Sequence, residues 1–154
     1  MRCASATALL LLAGLTGAGC RSVEQPRLEV VEARIVERAP TGVVVEFTLE
    51  GDNPNAVQLP MREVSYALEV DGRRVFSGQR SAEATLRRLG SQRFLLPAVV
   101  PASEFEGDLS GAEYRVHGTV VYLAPGAIAE LLFDTGLSRP TVSFSGTGVL
   151  PASN

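Results

Sequence analysis

The segment Val43-Val44-Val45-Glu46-Phe47-Thr48-Leu49-Glu50 alternates with period two, and no other feature constrains the possible folds of this chain as strongly. In an extended strand, successive side chains point to opposite faces. Val43, Val45, Phe47 and Leu49 therefore share one face, and Val44, Glu46, Thr48 and Glu50 share the other, as in a half-buried strand. Val64, Tyr66, Leu68 and Val70 repeat the pattern, with Glu63, Ser65, Ala67 and Glu69 opposite. Asp71-Gly72 comes next. Both residues tolerate positive φ, so they predict a tight hairpin that returns through Arg73-Arg74-Val75-Phe76-Ser77. Further strands are expected at 28–36, 92–99, 114–123 and 140–147; in the last, Val142 and Phe144 oppose Thr141, Ser143 and Ser145. A parallel sheet covered on both faces would read as continuous apolar runs. Clean alternation over six or seven short strands points instead to an antiparallel sandwich or barrel.

One segment departs from this pattern. Pro125-Gly126-Ala127-Ile128-Ala129-Glu130-Leu131-Leu132-Phe133 has Pro near its start, Gly136 after its end and helix-favouring residues between. These are helix start and stop signals, and a short helix is expected over 125–133, with a strand as the alternative.

The first twenty residues bear on the compartment. Arg2 precedes the apolar run Ala8-Leu9-Leu10-Leu11-Leu12-Ala13-Gly14-Leu15, and Gly17-Ala18-Gly19 leads into Cys20. That run is shorter than the roughly 20 residues a spanning helix needs, so a cleaved signal over 1–19 is expected. The small-small-Cys ending resembles the bacterial lipobox, although Gly17 stands where that pattern prefers Leu. The resemblance implies a diacylglycerol thioether on Cys20. Cysteine usage agrees: Cys3 would leave with the signal, and Cys20 would remain as a lone exported cysteine without a disulfide partner. Residues 20–26 then form a lipidated, polar tether closed by Pro26, and 27–150 the folded domain. Arg21 after the Cys favours, by enterobacterial sorting rules, the outer membrane. The expected location is the bacterial envelope, lipid-anchored and facing the periplasm.

Composition narrows the function further. Seventeen acidic residues stand against fourteen basic ones, all of them Arg. This balance lacks the basic footprint of a nucleic-acid binder. Trp is absent and aromatics are 6% of the chain, so a stacking groove for bases or sugars is not expected.

The corner after the second strand, Gly51-Asp52-Asn53-Pro54-Asn55, reads physically as a turn in which Asx side chains cap the backbone and Pro54 fixes φ. Asp52, Asn53 and Asn55 could in principle face a calcium ion. The segment lacks the acidic density and distal Glu of an EF-hand loop, and no metal is expected there. Together with the strands C-terminal to it, this corner resembles the type 2 late embryogenesis abundant family. The ordered set is Asn53-Pro54-Asn55, Leu59-Pro60, the Val64 to Val70 strand with Gly72, Gly78 on the return, and downstream Tyr114-Arg115-Val116-His117-Gly118-Thr119-Val120. The similarity spans about 28–148. It implies an immunoglobulin- or fibronectin-III-like antiparallel β-sandwich with at most one short helix, an association with water stress, and no enzymatic activity. The Ala-rich stretch at 125–133 departs from the strand the family would place there.

Catalytic chemistry finds little support. His117 is the single histidine and falls in the Arg115/His117/Thr119 series of its strand, opposite Tyr114, Val116 and Val120, as a solvated face residue would. Cys20 is occupied if lipidated, and no Gly-rich phosphate loop links a strand to a helix. Arg73-Arg74 and Arg87-Arg88 read as charge on loops and hairpin tips, which also blunts strand edges. No cofactor and no small-molecule substrate are expected. The expected partners are the membrane, through Cys20, and a protein client or envelope component. These readings leave two roles: generic protection under dehydration, or an assembly module docking another envelope protein. An unrecognised hydrolase is the remote third.

Overall fold

A computed structural model of the protein describes residues 23–151. Cys20 and the signal-like segment 1–19 lie outside the described residues. Seven strands and one short helix succeed one another as β1 (Arg27–Ala39), β2 (Gly42–Asn53), β3 (Leu59–Val70), β4 (Arg73–Leu86), β5 (Gly90–Pro101), β6 (Glu113–Tyr122), α1 (Ala127–Asp134) and β7 (Thr141–Val149). A three-residue 3-10 turn at Ala102–Glu104 comes after β5. Three strands in the order β1-β2-β5 face four in the order β4-β3-β6-β7. Every pairing is antiparallel. This is the antiparallel sandwich expected from the alternation.

The alternating faces are buried as the sequence sorts them. Val43, Val45, Phe47 and Leu49 of β2 pack against Val64, Tyr66, Leu68 and Val70 of β3, with Leu86, Leu96, Val116, Val120, Val142 and Phe144 completing the core. On the solvent face of the three-stranded sheet, Glu46 and Glu50 of β2 each meet an arginine directly across the ladder. Arg34 reaches Glu46 at 2.7 Å and Arg93 reaches Glu50 at 2.6 Å. Opposite charges on facing residues hold register. The two sheets are also tied through Tyr66 of β3, whose hydroxyl donates to the Pro97 carbonyl of β5 while its ring packs 5.0 Å from that of Phe76.

Local chemistry explains the connections. At the β3–β4 hairpin, Asp71 and Gly72 both take positive φ, 47° and 78°, as a two-residue turn matched to strand twist requires. The 125–133 segment is helical, as Ala127–Asp134. It ends at Gly136, φ 74°, whose N–H bonds to the Phe133 carbonyl while that of Leu137 bonds to the Leu132 carbonyl. Those two bonds are a Schellman termination.

β4 is longer than expected, continuing nine residues past Ser77 to Leu86. The register shifts between Met61 and Glu63, and Glu83 opposite that shift has φ 49°. The continuation opens with Gly78-Gln79-Arg80-Ser81, which offers no apolar residue to alternate, and the bulge at Glu83 then resets the faces before Leu86.

Candidate functional site

Asn53 ends β2 and is fully buried. Its side-chain amide donates to the carbonyls of Val57 at 2.8 Å, Arg87 at 3.0 Å and Leu86 at 3.4 Å. Its side-chain oxygen accepts from the backbone N–H of Asn55 at 3.0 Å and from the Asn55 amide at 2.9 Å. One amide thus closes the β2–β3 loop and fastens it to the exit of β4. Burying an amide is tolerable only when its donors and acceptor are satisfied, and here they are. Among the described residues, no buried side-chain nitrogen or oxygen lacks a partner.

Asn55 extends the network outward. Its amide donates to the Glu24 carbonyl, and its oxygen accepts the Glu24 N–H, both at 2.8 Å. Gln25 adds a bond from its side chain to the Thr141 carbonyl at 2.7 Å. The segment before β1, which reads in sequence as a polar tether, is held against the β2–β3 corner from Val23 onward. Nothing local in the sequence signals this, because the partners are 31 residues apart. Of the other turn residues, Pro54 supplies the fixed φ, Leu59 is fully buried at the start of β3, and the Pro60 carbonyl accepts from the Leu123 N–H at 2.9 Å. The Asn53 oxygen accepts two hydrogen bonds and the Asn55 oxygen one, while Asp52 accepts from the Ser91 hydroxyl at 3.1 Å. Among the described residues, no three His, Cys, Asp or Glu side chains cluster in a metal-binding arrangement.

His117 is half-buried on the outer face of β6, between Ala67 and Ser145 on the flanking strands. It borders a shallow, open depression with Ser65, Arg74, Thr119 and Ser143. No carboxylate lines it, so no acid–histidine pair is assembled there. The two arginine pairs are not brought together: Arg73-Arg74 begin β4 at one end of the sandwich, and Arg87-Arg88 lie in the β4–β5 loop at the other. Arg73 donates to the Glu104 carbonyl. At the same end as Arg73, the Asp108 carboxyl is held below its usual range by hydrogen bonds from Ser110 and by Arg38.

These features define a folded β-sandwich whose polar network ties its loops together and whose histidine borders a depression lined by no carboxylate. The late embryogenesis abundant family model LEA_2 matches residues 48–148, and the chain belongs to that family. No curated protein matches the chain. The fold is similar to the solution structure of a protein assigned to the late embryogenesis abundant (LEA) group, at 19% identity and TM-score 0.63, covering 83% of this chain and 72% of that one. It is also similar to the solution structure of an Arabidopsis thaliana protein, at 16% identity and TM-score 0.61, covering 92% of both chains. At such identities the likeness speaks for the fold alone.

Proposed function

We propose that this chain is a non-catalytic, lipid-anchored envelope protein that protects clients during dehydration. The observation that carries this reading is membership of the late embryogenesis abundant family over 48–148. Two features support it. The signal-like stretch ends in a lone Cys20 after Gly17-Ala18-Gly19, and the apolar residues are committed to a packed sandwich rather than to a disordered chain. In this reading the protein acts by presenting a folded, charged surface that keeps drying client proteins apart.

The test is to dry a labile enzyme with residues 21–154 and, separately, with an equal mass of an inert folded protein. Better recovery with the former supports generic protection. Equal recovery sinks protection of soluble clients and turns the search to cross-linked envelope partners, as an assembly module would require. The mass of the mature chain from a bacterial host separately reports whether Cys20 carries acyl groups.

A further inference from the structure

The two ends of the sandwich carry loops of opposite character. The end at which β1 begins also holds the β2–β3 loop, the β4–β5 loop and the β6–β7 connection with α1. Exposed there are Val57, Leu89, Ile128, Leu131 and Leu137, with Leu89, Ile128 and Leu137 at 69%, 76% and 78%. The loops of the other end, 40–41, 71–72 and 102–112, expose no large apolar side chain and carry Glu104, Glu106 and Asp108, with Arg38, Arg73 and Arg74 beside them and Val149 exposed at the end of β7. Helix α1 accentuates the difference. None of its residues is buried, and Ile128 and Leu131, one turn apart, both face solvent. A surface helix ordinarily turns its polar side outward. Apolar side chains gathered on one exposed region mark a contact surface.

What covers this end is indicated by where the chain emerges. Val23 lies at the same end, and Glu24 and Gln25 are pinned there by Asn55 and Thr141. The inference rests on the reading of Cys20 as the lipidated residue. Three residues then separate Val23 from the acyl chains, about 10 Å when fully extended. A tether that short, attached to a segment that cannot swing away, brings this end to the bilayer surface. Charge there is mixed: Arg87, Arg88 and Arg139 stand with Glu24, Glu130 and Asp134. Contact would depend on the apolar side chains, with Arg87 and Arg88 free to meet headgroup phosphates.

We infer that the anchor-proximal end of the sandwich is a lipid-docking surface. Leu89, Ile128 and Leu137 enter the interfacial layer, and the opposite end, where Glu104 and Asp108 meet Arg73 and Arg38, points away from the membrane.

The chain has no Trp, so a single introduced one reports its own position. Leu89→Trp, Ile128→Trp and Leu137→Trp at this end, and Thr41→Trp and Ala102→Trp at the other, would be made in the full chain. Each variant, expressed in a host that processes lipoproteins, would be reconstituted into phosphatidylethanolamine–phosphatidylglycerol vesicles whose acyl chains carry bromine. The first three should be quenched at least twofold more than the last two, and the difference should persist as protein is diluted in lipid. Equal quenching at both ends overturns the inference. So does a difference that fades on dilution, since a second copy would then be covering the end. Intact mass read on the same samples separates the two ideas. An acylated Cys20 with equal quenching leaves the anchor standing and removes docking. A bare Cys20 with quenching confined to the first three variants removes the anchor and keeps docking, and a bare Cys20 without it removes both.

Discussion

The side chain of Asn55 pairs with the backbone of Glu24 as one strand pairs with another, donating to its carbonyl and accepting its N–H, both at 2.8 Å. The pair joins the segment before the first strand to the corner between the second and third. Behind it, Asn53 supplies the buried support on which Asn55 is oriented.

Substituting Asn53 should therefore be costly. Asn53→Ala leaves the carbonyls of Val57, Leu86 and Arg87 without their donor at a fully buried position. Stability should fall by about 1–3 kcal/mol, the scale for a buried polar group left without its partner. Urea denaturation should show a lower midpoint at unchanged slope. Asn53→Asp should be no milder, because a carboxylate offers those carbonyls no donor.

Asn55→Ala tests the outer layer of the same network. It removes the two exposed bonds to the Glu24 backbone and the amide bond to the Asn53 oxygen, which still accepts from the backbone N–H at position 55, so the loss of global stability should be about 1 kcal/mol. The local effect should be larger. Hydrogen exchange at the Glu24 amide should quicken by at least tenfold while amides in β2 and β3 keep their protection. Unchanged exchange at Glu24 would mean that the segment is held by something other than Asn55.

A glycine in β6 sets how closely the rings inside the four-stranded sheet can pack. A methyl group at Gly118 would stand 2.5 Å from the Ser65 carbonyl oxygen, 2.7 Å from the Tyr66 Cβ and 2.8 Å from the Phe144 ring. Two of those neighbours are backbone or backbone-attached and cannot move independently. Gly118→Ala should destabilise the domain by about 1–3 kcal/mol, as overpacking does, with thermal unfolding as the readout.

The tyrosines predict alkaline sensitivity. Burial raises the hydroxyl pKa of Tyr66, Tyr114 and Tyr122 above the ordinary value of 10.0. For groups raised by folding, the unfolded chain loses its protons first. Stability is then complete below about pH 10 and falls as pH climbs from there through the folded-state values. Tyr66→Phe should flatten part of that decline. It should also cost about 1 kcal/mol near neutrality by deleting the bond to the Pro97 carbonyl. Melting temperatures at pH 7, 9 and 11 for both proteins check the two effects together.

The architecture was largely legible in the sequence because burial on one face writes a period of two. β2 shows it from Val43 to Leu49 and β3 from Val64 to Val70, and the Asp71-Gly72 turn states its own geometry. Legibility failed where strands bulge. β1 shifts register between Val30 and Glu32 and again between Ile35 and Glu37, which leaves Val31 and Val36 exposed beside half-buried Val30 and Ile35. Periodicity therefore bounded that strand too tightly, and it cut β4 short where Gly78-Gln79-Arg80-Ser81 carries no apolar residue. The Asn53 corner was visible as a turn, but its partners at Leu86 and Arg87 are 33 and 34 residues away. Hydrogen bonds of that span leave no local trace. The apolar end is equally hidden: Val57, Leu89, Ile128 and Leu137 are scattered in sequence and come to one end only because three connections share it.

The fastened segment ahead of β1 has a bearing on neighbouring copies. β1 is an edge strand and the first among the described residues, the kind of piece most easily traded between molecules crowded together. Such a trade ordinarily starts with the free tip peeling away. Here the tip is tied to Asn55 and Thr141 before the strand begins, and its far end turns through only Pro40-Thr41 into β2. Peeling would first have to break the bonds at Glu24 and Gln25, so strand exchange is expected to be slowed.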